Sequence, residues 1–139
     1  MLPGDRRLRR SADISATARG TRVGGRLVVL HASPAAASRP RFGLAVGRKV
    51  GNSVVRHRVA RRLRHALADD LAAWDELGSD VLVRALPAAA GASSAQFAGE
   101  LRRGRRKLAV RLGSGAGKGS PVGTAALARA ASGVPGGAP

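Results

Sequence analysis

Cysteine is missing from all 139 residues, which excludes disulfides and thiolate metal sites and leaves no argument for an oxidising compartment. Tyrosine is missing too, and Phe42, Trp74 and Phe97 are the only aromatic residues, so rings for packing or stacking are scarce. No apolar run approaches the roughly 18 residues that a membrane-spanning helix requires. The start, Met1 to Arg10, is polar and basic with no apolar signal segment. Its faint likeness to a transit peptide is outweighed by the same basic bias continuing along the chain. The expected setting is therefore the cytoplasm, with no membrane partner. The most telling absence is acidic: from Ile14 through Ala68 there is no Asp or Glu, while twelve Arg or Lys fall in that stretch.

The opposite charge is in large excess. Twenty-five Lys and Arg stand against eight Asp and Glu, for a formal net charge of +17 and a pI near 12.0. Such a field exceeds what solubility asks for and calls for a polyanionic partner. Arg outnumbers Lys 22 to 3. A guanidinium fork grips two phosphate oxygens at once, although GC-rich codon usage would also raise Arg, Ala and Gly.

The length suits one small domain, expected over residues 1–112. Gly113 to Pro139 is almost entirely Gly, Ala, Ser and Pro with scattered Val and Leu. That is too little apolar surface to offset the entropy of ordering, so residues 113–139 read as a disordered tail. Ser33 to Pro40 and Pro87 to Ala92 read as loops, and there is no internal repeat. A basic first helix is expected near Asp5 to Arg19. Arg26 to His31 is a near-continuous apolar run, as in a strand covered on both faces. Arg41 to Val46 is its neighbour, and Asp80 to Leu86 forms a third strand after a long helical segment, which implies a β-α-β crossover. The last helix begins at Ser93, which has capping-box spacing to Gln96. It turns Phe97, Leu101, Leu108 and Leu112 inward and Arg102, Arg103, Arg105, Arg106 and Lys107 outward. The fold class is α+β: a small mixed sheet of three to four strands, an N-terminal helix, a long Arg-rich crossover helix and a C-terminal helix.

The long helix carries the functional signal. Asn52 and Ser53 are good N-caps, and Val55, Val59, Leu63, Leu67 and Leu71 then recur every fourth position to form an apolar stripe. The helix is expected to end near Leu71 to Glu76, where acids between Asp69 and Asp80 offset the basic face behind them. At about 100° per residue, His57, Arg58, Arg61, Arg64 and His65 project opposite the stripe, with Arg56 and Arg62 at its borders. Arg48 and Lys49 add two cations at the N-terminus, itself an anion site. Gly47 and Gly51 would let backbone approach a phosphate there. A structural RNA binder such as a ribosomal protein, or a DNA binder using the helix in a groove, would also suit the charge, though no turn-helix pair or dimer symmetry is evident.

Residues 47–64, GRKVGNSVVRHRVARRLR, resemble the signature of the bacterial ribonuclease P protein family, which reads roughly lysine-x-Gly-Asn-Ala-Val-x-Arg-Asn-Arg-x-(Lys/Arg)-Arg. Lys49, Gly51, Asn52, Val54, Arg56, Arg58, Arg61 and Arg62 match. Leu8 to Asp13 is similar to the family's opening, Gly24 to Leu30 to its first long strand, and Arg41 to Val46 to the next. The resemblance implies an α/β fold with a left-handed crossover and a protein subunit that helps a catalytic RNA remove the 5′ leader of precursor tRNA. It implies RNA contact by Asn52, Arg56, Arg58, Arg61 and Arg62, and a leader cleft beside the sheet, to which Ile14, Ala18 and Phe42 are assigned. Two departures stand out: His57 where the family has Asn, and Ile14 and Ala18 where the family places aromatic side chains.

A protein nuclease needs metal-binding carboxylates or a His acid–base pair. The acids lack metal-ligand spacing, His57 and His65 are two helical turns apart, and His31 reads as a strand residue. The expectation is therefore no catalytic residue, metal or cofactor in the protein alone, with Mg2+ in the RNA–protein holoenzyme. The expected partners are the catalytic RNA and precursor tRNA, with no protein partner required.

Overall fold

The computed structural model describes the backbone of residues 2–35 and 39–117, and side chains as far as residue 113. The chain divides into two units after Arg105, and of the second only residues 106–117 are described. In order, the elements are a 3-10 turn at Gly4–Arg6, α1 (Ser11–Ala18), β1 (Thr21–Gly24), β2 (Val28–Pro34), β3 (Phe42–Ala45), α2 (Ser53–Ala68), α3 (Leu71–Leu77), β4 (Ser79–Ala85), a 3-10 turn at Pro87–Gly91, and α4 (Ser94–Gly117). The strands form one sheet in the order β1-β2-β4-β3. β2 is antiparallel to β1 and β4, whereas β3 and β4 are parallel. Parallel neighbours cannot share a tight hairpin, and α2 and α3 form the crossover that the strand order implied.

Because side chains alternate across a strand, the sheet has two unlike faces. One carries Val23, Val28, Leu30, Phe42, Val81 and Val83, each 2% exposed or less. Trp74 of α3 meets Phe42 edge-on, with ring centroids 5.7 Å apart and planes at 85°, and Gly104 of α4 lies against Leu30. Each such side chain contributes about 1.5–3 kcal/mol on burial, so this face is the core. The opposite face carries Arg22, Val29, His31, Ser33, Asp80, Leu82 and Arg84. There α1 docks through a Thr17–Ser33 hydroxyl contact of 3.1 Å, and Leu8 packs over Gly43. Covering on both sides explains why β2 reads as a continuous apolar run.

Several boundaries differ from the sequence reading. β1 was not expected as a separate strand. Ser33 and Pro34 belong to β2 and not to a loop, because they pair with Asp80 and Ser79 of β4. The first helix starts only at Ser11, since Arg7 bridges to Phe42 in extended conformation and Arg6 is drawn inward to the Pro40 carbonyl at 2.8 Å. The long helix breaks at Asp69 and Asp70 into α2 and α3. α3 ends at Gly78, whose φ of 66° is left-handed. A side chain there would cost about 1 kcal/mol.

Pro87–Gly91 forms a 3-10 turn in place of an irregular loop. The capping box is complete: the Gln96 N–H donates to Ser93 Oγ at 3.1 Å, and the Ser93 N–H donates to Gln96 Oε1 at 2.8 Å. α4 continues through Gly117, past the point where the tail was expected to begin. The rest of that stretch, residues 118–139, lies outside the described residues. The buried carboxylate of Glu100 accepts the backbone N–H groups of Arg26, Leu27 and Val28 at 3.2, 2.6 and 2.7 Å, clamping the β1–β2 turn to α4.

Candidate nucleic-acid interface

The approach to α2 is a turn closed by the Val50 N–H donating to the Gly47 carbonyl at 3.1 Å. Val50 is buried and anchors it, so Arg48 and Lys49, between the two, stand exposed at its tip. The Asn52 side chain then accepts the Val55 N–H at 3.0 Å. This N-cap uses the amide oxygen of a residue also expected to contact RNA. Gly51 has a reason within the chain itself: a Cβ there would come within 2.8 Å of the Val55 side chain.

Along α2, Val59, Leu63 and Leu67 are completely buried, and Val55 is half-buried. His57, Arg61 and His65 are exposed, while Arg56, Arg58, Arg62 and Arg64 are partly covered. Two of these lean on the 3-10 turn after β4. Arg58 donates to the Ala90 carbonyl at 3.2 Å and Arg62 to the Ala92 carbonyl at 2.7 Å. A neutral carbonyl fixes a guanidinium in place without cancelling its charge. All nine expected contact residues, Arg48, Lys49, Asn52, Arg56, His57, Arg58, Arg61, Arg62 and Arg64, lie on this turn and helix.

The carboxylates are occupied elsewhere. Among the described residues, Asp75 pairs with Arg6, Asp70 with Arg105 at 3.0 Å, and Asp5 with Arg39 at 3.4 Å. Arg41 takes both Asp80 at 3.1 Å and Asp13 at 3.4 Å. None of these cations stands on α2. The expectation that the acids from Asp69 to Asp80 offset the basic helix face is corrected for three of them: Asp70, Asp75 and Asp80 bind arginines from other elements. The α2 face keeps its positive field.

A second basic surface escaped the sequence reading. On the α1 side of the sheet, buried His31 lies close to Arg22, Arg84 and the Ala18 backbone. Burial, then the positive charges of Arg84 and Arg22, push its pKa below the ordinary imidazole value, against a smaller opposing effect of the Ala18 backbone. The imidazole is thus neutral at pH 7. On α1, Ile14 is half-buried and Ala18, whose backbone meets His31, is exposed. Strict alternation along β1, β2 and β4 was the available signal for Arg22, His31 and Arg84. Phe42, assigned to a leader cleft from sequence, is instead a core residue: its 2% exposed ring packs against Trp74. It cannot stack on a base.

The family model described as Ribonuclease P matches residues 2–109. The chain belongs to the ribonuclease P protein family. It is 45% identical to the ribonuclease P protein component of Nocardia farcinica over 141 aligned positions, covering 83% of this chain and 88% of the relative. With the corresponding component of Rhodococcus opacus the identity is 48% over 116 positions, covering 78% and 92%. A Staphylococcus aureus RNase P protein mutant shares the fold, with a TM-score of 0.68 at 23% identity over 74% of this chain and 87% of that one. In this member of the ribonuclease P protein family, the stretch from Lys49 to Arg62 thus spans a turn, an N-cap and the first turns of a helix that forms no ion pair with a carboxylate among the described residues.

Proposed function

We propose that the chain is the protein subunit of ribonuclease P, which binds the catalytic RNA and assists endonucleolytic removal of the 5′ leader from precursor tRNA in the cytoplasm. The observation that carries this reading is α2, whose arginines 56, 58, 61, 62 and 64 have no ion-pair partner among the described residues. Turn and helix together offer cations to a folded RNA whose phosphates would otherwise repel the substrate, and each neutralised phosphate releases counterions. The precursor's leader is assigned to the other basic surface, that of Arg22, His31 and Arg84, with Ile14 and Ala18 of α1. With no Phe, Tyr or Trp at positions 14 and 18 and the His31 ring buried, backbone charge and apolar contact take the place of stacking.

The protein's role is to hold and position. Among the described residues no group of three or more His, Asp or Glu could hold a metal ion. On this reading the Mg2+ expected in the holoenzyme is held by the RNA. The reading is tested by adding the purified chain to ribonuclease P RNA and a precursor tRNA. A lowered magnesium requirement or tighter precursor binding is expected, and no change in either removes the reading.

A further inference from the structure

The basic face of α2 contains a feature that phosphate binding does not need. Val54, in the first turn, is 71% exposed among cations. With Ser53, His57, Arg58 and Arg61 it lines a groove of about 500 Å3. Residues three and four apart share a helix face, so 54, 57, 58 and 61 form one continuous strip. An isopropyl group and an imidazole ring offer little to a phosphate oxygen. They suit a nucleobase, which has flat apolar faces and a polar edge. The Ala90 carbonyl holds Arg58 at the groove's border, and α2 carries no acid to compete with a flanking phosphate. Base faces inside a duplex are hidden by their neighbours, so a base that fits here must be unstacked.

Building on the reading of α2 as the RNA surface, we propose that this groove takes one unstacked nucleobase of a bound RNA. Val54 and the His57 ring lie against its face, and Arg58 and Arg61 meet its flanking phosphates. Since the leader is assigned to the other basic surface, the base is expected from a loop or bulge of the catalytic RNA, and the precursor arm of the test checks that assignment.

The full chain and its His57→Ala, His57→Phe and Val54→Ser variants are titrated against ribonuclease P RNA and, separately, against precursor tRNA across a salt series. Phosphate contacts set the slope of log affinity against log salt, whereas stacking shifts the line without tilting it. His57→Ala and Val54→Ser are expected to weaken binding about five- to tenfold at every salt concentration in at least one arm. His57→Phe restores affinity, and the arm showing the loss identifies the source. Unshifted lines for both truncations in both arms overturn the groove while leaving α2 as the RNA surface. A changed slope with no parallel offset also overturns it. Failure of the unaltered chain to bind either RNA would sink the proposed function and the groove together.

Discussion

Two sets of arginines in this chain meet opposite fates. Arg6, Arg41 and Arg105 are held by carboxylates, and two of them also sit over rings, Arg6 at 6.0 Å from Phe42 and Arg105 at 5.9 Å from Trp74. Among the described residues no arginine of α2 forms an ion pair, and Arg58 and Arg62 lean on neutral carbonyls instead. The residue type is the same, so the placement of the few acids decides which guanidiniums stabilise the fold and which remain available to an anion. A protein with eight acids can neutralise only a minority of its cations, and here most of them are used around α1, α3 and α4.

The sharpest way to break that contrast is to free a held arginine. Asp75→Ala leaves Arg6, whose side chain is 4% exposed, without its counter-charge, and should cost about 3 kcal/mol. Thermal unfolding would then begin roughly 10–15 °C lower, with RNA affinity of the folded protein unchanged; an unmoved melting temperature would show that the pair contributes nothing. The converse change puts an acid on the open helix. Ala60→Glu stands four residues before Arg64 and four after Arg56, and should lower affinity for ribonuclease P RNA about tenfold near 0.1 M salt. Stability should stay within about 0.5 kcal/mol, so equal affinity would mean that the unpaired state of α2 does not matter. The smallest effect concerns His31. Its pKa is lowered from 6.5 on folding, so the unfolded chain takes up the proton first as pH falls. Stability is therefore undiminished above that value and declines as pH falls below it. His31→Gln should flatten the melting-temperature profile between pH 7.5 and 5.5, and an equally steep profile would refute the assignment.

The parts of the molecule legible from sequence are those written locally. Asn52 with Val55, Val59, Leu63 and Leu67 announces cap and stripe, and Ser93 with Gln96 announces a helix start, because each signal lies within a few residues. The break at Asp69 and Asp70 was hidden because the apolar spacing runs on through Leu71. What redirects the chain is distant, namely Arg105 holding Asp70 and the seat for Trp74 beside Phe42. The same holds for Phe42, whose side of the sheet depends on strand register and not on its own neighbours. The basic residues of α2 lie on one stretch of sequence, though not their contacts with Ala90 and Ala92, whereas Arg22, His31 and Arg84 come from three strands that only the folded sheet assembles.

The clamp of Glu100 on Arg26, Leu27 and Val28 bears on how the chain is born. Its carboxylate is made more than seventy residues after the amides it secures. The first hairpin therefore stays unfinished on the ribosome until α4 has emerged. A chain truncated ahead of that glutamate is expected to leave those three amides without their acceptor.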